Sequence, residues 1–433
     1  MSKTFRPWKV DQAWLLPPSI DDFVPAGHPA HLVRDLVRET LDLAAVMAAY
    51  DEPRGQPPYH PAMMVAVLLY AYSQGVYSSR RIARALEERL DFMAVSALER
   101  PDFRTISDFR KRHLGALAGL FGQVLKLCRE AGLVELGHVA LDGTKLKANA
   151  SKHKAMSYGR MVRAEGDLQA EIGAWLAEAE AVDAAEDAEH GPERRGDEMP
   201  DWVKDKQRRL ETIRTAKAAL EAKARAEAEA KAASGAGGGR TPAPDPVPKP
   251  SAQRNFTDPE SRIMKGKDGF VQAYNGQLAV DTRAQVIVAC DLSNEAVDAG
   301  RLVPLLERIE HHLGRRPKEV SADVGYCSEA NLRALDERAI KGYLATGRQK
   351  HPATGEDKRR GPLVRAMRQK LKRGGRRSRY RLRKQTVEPV IGQIKQARGF
   401  RQFLLRGLAK VQAEWTLICT AHNTLKLIKA LPA

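Results

Sequence analysis

The sequence of 433 residues contains only four cysteines, few aromatic residues and no long apolar run. Cys128, Cys290, Cys327 and Cys419 are far apart and form no Cys-x-x-Cys pair, which disfavours a disulfide framework and a structural zinc site. The longest apolar stretch, residues 61–72, is mixed and shorter than the roughly 18 residues that a membrane span requires. The N-terminus lacks the apolar core of a secretory signal, so we expect a cytoplasmic protein that has no membrane partner.

Acidic residues are scarce relative to basic ones. The chain has 72 Lys and Arg against 54 Asp and Glu, a net charge of +18. An excess of this size attracts polyanions and favours nucleic acid as the partner. Residues 358–384 contain 14 Lys or Arg and no acid, whereas residues 165–201 are rich in acids. The excess charge is therefore concentrated in one patch, which is expected to begin as a loop and to become helical near Arg383.

Residues 19–130 have apolar side chains at three- and four-residue spacing, which predicts a series of helices. Ser78 and Thr105 are the predicted N-caps of two of them, and Gly132 is predicted to end the last. We assign residues 1–135 to an N-terminal helical domain.

After residue 137 the spacing changes to that of strands: a first strand, two strands joined near residues 282–284, and then alternating helices and strands. This order predicts an α/β fold with a mixed sheet, formed by residues 136–151 and 256–433. Residues 152–255 interrupt it with a helical stretch and a Gly/Pro-rich linker at 234–251. This insertion is interpreted either as a solvated spacer or as a binding arm.

Three acidic residues are placed where a mixed sheet exposes them at one edge. Asp142 ends the first predicted strand, Asp323 follows the fourth, and Glu388 is predicted near the N-terminus of a helix that contains Pro389. A lone strand-end aspartate usually caps a turn. Three carboxylates in this order, beside a basic run, also match the oxygen ligands that two divalent ions need for phosphoryl transfer.

Several segments together resemble the DDE-class transposases of bacterial insertion sequences, which have an InsH-type N-terminal helical domain and a ribonuclease-H-like core. These segments are residues 101–113, 141–151, 258–281, 322–326 and 386–407. The resemblance implies a ribonuclease-H-like catalytic core with an N-terminal helical domain and a helical insertion.

The resemblance further implies that Asp142, Asp323 and Glu388 are the DDE triad and bind two Mg²⁺ ions, for which Mn²⁺ is a possible substitute. The first two are separated by 180 residues and the last two by 64. It implies cleavage at the element ends, transfer of the 3′-hydroxyls into target DNA, a homodimer on the terminal inverted repeats, and a nucleoid-associated location.

In related transposases the last carboxylate belongs to a Tyr-Arg-Glu-Lys signature. Tyr380, Arg383, Glu388 and Lys395 approximate it, although four residues separate Arg383 from Glu388 where three are usual. Lys384 has the usual spacing, so either Arg383 or Lys384 is the candidate phosphate ligand. Tyr380, Arg383, Lys384 and Lys395 are predicted to bind DNA near the scissile phosphate.

Residues 78–95 and 102–113 are compatible with a helix-turn-helix that reads the terminal repeats. Its predicted DNA contacts are Arg104, Arg110, Lys111 and Arg112. A helical bundle with a solvated basic face is an almost equally good interpretation.

Further polar residues lie close to the predicted triad in the sequence. Tyr274, Asn275 and Gln277, on the second strand, are expected to support Asp142. Asp291 and Asp298 are interpreted as helix caps, with a spare ligand as the weaker alternative for either. The leading functional prediction is a DNA transposase. The alternatives are a nuclease of the ribonuclease H superfamily without strand transfer and a catalytically inactive DNA-binding repressor.

Overall fold

The computed structural model describes residues 19–50, 58–190, 201–233, 246–266, 269–347 and 361–430. The first 18 residues, most of the Gly/Pro-rich linker and the start of the basic run lie outside these ranges. Within them, no helix is both long and apolar enough to cross a bilayer.

The N-terminal region is helical, as its apolar spacing predicts. Its helices are α1 (Pro29–Asp35), α2 (Ala44–Met47), α3 (Pro61–Ser73), α4 (Ser79–Glu88), α5 (Leu90–Ser96), α6 (Phe103–Arg112) and α7 (Leu114–Glu130). Ser78 occupies the predicted N-cap position of α4 but makes no side-chain cap bond. The predicted cap at Thr105 is wrong: Asp102 caps α6 and accepts a hydrogen bond from the Thr105 backbone N–H at 2.6 Å.

The remaining described residues form a mixed sheet, an inserted arm and the helices around them. The strands are β1 (His138–Lys147), β2 (Ala155–Ser157), β3 (Gln253–Asn255), β4 (Arg262–Gly266), β5 (Gly269–Asp281), β6 (Ile287–Ser293), β7 (Glu319–Ala322) and β8 (Lys341–Leu344). The helices are α8 (Tyr158–His190), α9 (Asp201–Ala233), α10 (Leu302–Leu313), α11 (Glu329–Glu337), α12 (Pro362–Gly374), α13 (Leu382–Gly392) and α14 (Leu408–Ile428).

The sheet has the order β4-β5-β1-β7-β8, with β6 also paired to β5. β5 is antiparallel to β1, β4 and β6, whereas β1, β7 and β8 are parallel to one another. Such a sheet, with helices on its faces and a helical N-terminal region, is the mixed α/β fold that the sequence predicts. β1 lies at its centre and positions the candidate site.

The first strand is longer than predicted, because β1 continues for five residues beyond Asp142. Pairing of β1 with β7 stops at Leu141, opposite Ala322, whereas pairing with β5 continues to Lys147. Asp142 is therefore not at the tip of a strand. It lies at the point where β1 loses one neighbour and keeps the other.

Helix α14 joins the N-terminal helices to the sheet. It is buried along most of its length and packs against β6 on one side and against α3 and α7 on the other. Trp415, fully buried, lies against Gly276 of β5, where a Cβ would approach its ring to 3.0 Å. One continuous apolar core therefore includes residues of both regions.

Helices α8 and α9 pack together as an arm with a small apolar core of its own. Glu165 of α8 forms ion pairs with Arg214 and Lys217 of α9 at 3.0 and 2.9 Å. The short strands β2 and β3 pair at the base of the arm.

The basic run was expected to begin as a loop and to become helical near Arg383. In the described residues it is instead helical from Pro362, as α12, followed by 3₁₀ turns that lead into α13. Pro362 is at the first turn of α12, where proline is well tolerated.

Candidate active site

Asp142 and Asp323 lie side by side because of the register of β1 and β7. Leu141 pairs with Ala322. Asp142 follows Leu141 and Asp323 follows Ala322, so the two aspartates are neighbours across the two strands. Paired strands are only about 4.8 Å apart. Asp142 accepts a hydrogen bond from the Gly143 backbone N–H at 3.0 Å, and Asp323 accepts one from the Gly325 N–H at 2.9 Å.

Glu388 comes from α13, which packs against β1. The expected position in a first helical turn is wrong, because α13 begins six residues earlier, at Leu382. Pro389 lies inside the helix and has no N–H to donate to the Gln385 carbonyl. That carbonyl accepts a hydrogen bond from Gln285 Nε2 at 3.1 Å, so a neighbouring side chain replaces the lost helical bond.

Arg383 connects the first and third carboxylates. Its Nη1 lies 2.5 Å from Asp142 Oδ2, and its Nη2 lies 3.0 Å from Glu388 Oε1. The side chains of Arg383 and Asp142 are 12% and 14% exposed, whereas that of Glu388 is 46% exposed. The guanidinium therefore holds together two acids that are 246 positions apart in the sequence.

The carboxylates are crowded and partly removed from water. Burial raises the pKa of Asp142 to about 6; Arg383 opposes this rise, and the charges of Asp323 and Glu388 add to it. Burial also raises the pKa of Asp323, with a further contribution from Asp298. A site of this kind has an excess of negative charge that a bound cation would relieve.

The donor chemistry fits a hard divalent ion. Mg²⁺ prefers oxygen ligands and is commonly held by one or two carboxylates, with water and substrate phosphate completing its shell. Among the described residues, no three His, Cys, Asp or Glu side chains are close enough to form a metal site without rearrangement. Arg383 lies between two of the carboxylates and bonds both of them.

The predicted DNA contacts near Glu388 differ in their surroundings. Lys384 is exposed and Tyr380 is partly buried, whereas Arg383 faces the carboxylates. Lys395 donates hydrogen bonds to Thr144 Oγ1 at 3.1 Å and to the Lys145 carbonyl at 2.9 Å. Lys395 therefore braces β1 just beyond Asp142.

The basic residues predicted in the N-terminal region do not share one surface. Arg104, Lys111 and Arg112 are exposed on α6. Arg110 is buried and donates to Tyr72 Oη, the Tyr77 carbonyl and Ser79 Oγ. Arg110 is therefore unavailable to DNA in this conformation, because its guanidinium lies inside the helical region.

The predicted helix-turn-helix contains three helices rather than two. The chain leaves the helical conformation at Arg89, between α4 and α5, before α6 begins. Helix α4 packs against both α5 and α6.

Two residues expected to support Asp142 instead converge on Asp298. Asn275 Nδ2 and Gln277 Nε2 donate to Asp298 Oδ1 at 2.6 and 2.7 Å. Tyr274 donates to Asp258 at 2.8 Å and lies in a different network. The cap predicted for Asp298 is absent, since its side chain makes no cap hydrogen bond.

Asp291 is likewise no helix cap, because it pairs with Arg308 at 2.9 Å. The cap interpretation of Asp298 is therefore wrong, and the alternative of a spare ligand stays a prediction. The sequence signal for its position beside the triad was the pair of amides at Asn275 and Gln277, which alternate onto one face of β5 and need an acceptor.

Comparison with known families adds the deciding observation. Residues 18–112 match the family model described as "Transposase domain (DUF772)", and residues 244–424 match "Transposase DDE domain". The chain belongs to the DDE transposases of insertion sequences. The second match contains Asp323 and Glu388. Strand β1, which carries Asp142, lies outside the matched residues but pairs with β5 and β7, which lie inside them. No curated protein and no solved structure gives a significant match to this transposase.

Proposed function

We propose that this transposase cuts DNA at the ends of its element and joins the freed 3′-hydroxyls to target DNA, with Asp142, Asp323 and Glu388 as its catalytic acids. The observation that carries the proposal is that Arg383 bonds both Asp142 of β1 and Glu388 of α13, while the register of β1 and β7 places Asp323 next to Asp142. Transposases act on DNA, and this family generally uses divalent metals.

The three carboxylates would hold two Mg²⁺ ions, or Mn²⁺ as a substitute. When bound, such ions activate the attacking water or 3′-hydroxyl and stabilise the leaving oxygen. Gly143 and Gly325 fix the aspartates through backbone N–H groups, so both carboxylates are oriented before substrate arrives. Lys395, just after α13, holds β1 in place through its hydrogen bonds to Thr144 and Lys145.

DNA would approach over α12, the following 3₁₀ turns and the start of α13. The exposed cations there include Lys372, Arg373, Arg376, Arg377, Arg381 and Lys384. They lead directly into the helix that carries Glu388, so a backbone bound along them would reach the carboxylates.

The proposed organisation follows the sequence boundaries. Residues 1–135 would bind the terminal inverted repeats through Arg104, Lys111 and Arg112 rather than Arg110. Residues 136–151 and 256–433 would be the catalytic domain, with 152–255 as the insertion. Two element ends have to be processed together, so we propose a homodimer on DNA in the nucleoid of the bacterial cytoplasm.

The test is a joining assay with the purified full-length chain, a duplex that carries the element's terminal repeat, and a supercoiled target plasmid. We expect nicking at the repeat end and covalent joining to the plasmid, both dependent on Mg²⁺ or Mn²⁺. Cleavage without joined product would show a nuclease that does not transpose. Specific binding of the repeat with neither product would show an inactive repressor.

A further inference from the structure

A fourth acid, Asp298, lies beside the proposed catalytic acids. It belongs to the segment between β6 and α10, and its side chain is 13% exposed. Its neighbours lie on β1, on β5 and in the turn after β7.

One oxygen of Asp298 is held by a fixed set of donors. Asn275 and Gln277 donate to Oδ1, and Lys145 Nζ lies 3.6 Å from the same atom. Gln277 is itself held, because Tyr326 Oη donates to its Oε1. Two hydrogen bonds to Oδ1 limit the rotation of the carboxylate.

The other oxygen of Asp298 faces Asp323. A Cβ placed on Gly325 would lie 2.9 Å from Asp298 Oδ2 and 3.1 Å from Asp323 Oδ1. The two carboxylate oxygens therefore border the same small space, which a side chain at position 325 would fill. The glycine leaves that space open beside Asp323.

Gly143, the residue after Asp142, lies close against the β1 side of Asp298. A Cβ there would meet Asp298 Oδ1 at 2.6 Å, Gln277 Nε2 at 2.7 Å and Asn275 Oδ1 at 3.0 Å. Asn275 is fully buried, and among the described residues its Oδ1 has no hydrogen-bond partner. A buried acceptor without a donor is costly unless a ligand or water satisfies it.

Asp298 Oδ2, Asp323 Oδ1 and the unpartnered Asn275 Oδ1 are oxygen acceptors of the kind expected beside a hydrated cation. We propose that Asp298 is a fourth acidic residue of the cation site, with Oδ1 fixed by Asn275 and Gln277 and Oδ2 presented next to Asp323. It would contribute through a direct bond or through a water of the ion's shell. This inference rests on the proposed function, in which a divalent ion binds at the triad.

The test is the Mn²⁺ affinity of the full-length chain, measured by calorimetry with and without element-end DNA. Asp298→Asn keeps an oxygen that Asn275 and Gln277 can bond and removes the charge. We expect it to weaken Mn²⁺ binding by about tenfold or more. Asp291→Asn is the matched control, because Asp291 is also a buried acid near the end of β6 but is paired with Arg308. The control should bind Mn²⁺ like the wild type.

Thermal unfolding of each variant checks that it is folded. If Asp298→Asn is not folded, Asn275→Ala takes its place. This variant keeps the charge of Asp298 and removes one of the two amide donors that orient its carboxylate. We expect it to lose Mn²⁺ affinity several-fold. If the folded variant that is tested binds Mn²⁺ with the affinity of the wild type, the inference is wrong. If Asp323→Asn also binds Mn²⁺ like the wild type, the proposed function itself fails, so the two failures can be distinguished.

Discussion

Arg383 and Asp142 form an ion pair at 2.5 Å, and the same guanidinium bonds Glu388 at 3.0 Å. A residue that the sequence predicts to bind DNA thus lies between two predicted metal ligands. A divalent ion that uses both carboxylates has to compete with this guanidinium. A DNA phosphate that attracts Arg383 would make the carboxylates more available to the ion.

We predict that Arg383→Gln strengthens Mn²⁺ binding by the DNA-free chain by about tenfold, because one competing positive charge is removed. The same variant should bind element-end DNA more weakly if Arg383 moves to a phosphate. Calorimetric titration with Mn²⁺ at pH 7.5 measures the first effect. Arg379→Gln is the control, since Arg379 pairs with Glu319 in a separate cluster. Weaker Mn²⁺ binding by Arg383→Gln would contradict the competition.

The exposed cations at the end of α12 and in the 3₁₀ turn that follows should determine how DNA binding depends on salt. Replacing Arg373, Arg376 and Arg377 together by Gln should reduce the slope of log affinity against log salt by about 3, if each contacts one phosphate. Fluorescence anisotropy with a labelled duplex at several salt concentrations measures this slope.

The control for that experiment is a matched set on the arm: Arg208, Arg209 and Lys223, which are exposed on α9. An unchanged slope in this control would support the interpretation of the insertion as a spacer. An equal reduction would show that the arm also binds DNA. An unchanged slope in the first variant would exclude the proposed DNA path.

A buried acid outside the triad gives a prediction about stability. Glu414 of α14 is 1% exposed and accepts hydrogen bonds from the Leu404 and Leu405 backbone N–H groups. Burial raises its pKa to about 7, above the value of 4.5 expected for an exposed glutamate. The folded state therefore binds the proton more tightly than the unfolded state between these values.

The stability that this proton provides is fully present below about pH 4.5 and is lost as the pH rises through about 7. Glu414→Gln should flatten this part of the pH profile and raise the free energy of unfolding at pH 8 by roughly 1–3 kcal/mol. Thermal unfolding at pH 5 and pH 8 measures both effects. If Glu414→Gln destabilised the protein more at pH 8 than at pH 5, relative to the wild type, the raised pKa of Glu414 would be contradicted.

The sequence predicted the order of strands and helices well where the periodicity was strong. It could not predict that β1 continues past Asp142, because that extension depends on pairing with β5 alone. Pro389 suggested a helix start, and only the neighbouring Gln285 explains why the helix tolerates it. Arg110 resembled its exposed neighbours in sequence, but the packing of α6 on α4 buries it.

We propose that Asp142, Asp323 and Glu388 form one metal-dependent catalytic centre. Its most direct test is cleavage of element-end DNA by Asp142→Asn, Asp323→Asn and Glu388→Gln, with Asp336→Asn on the exposed face of α11 as the control. We predict that each of the three lowers the Mg²⁺-dependent cleavage rate by roughly 10³-fold or more while DNA binding persists, and that the control cleaves normally. Cleavage at the wild-type rate by a folded Asp323→Asn protein would contradict the proposed catalytic centre.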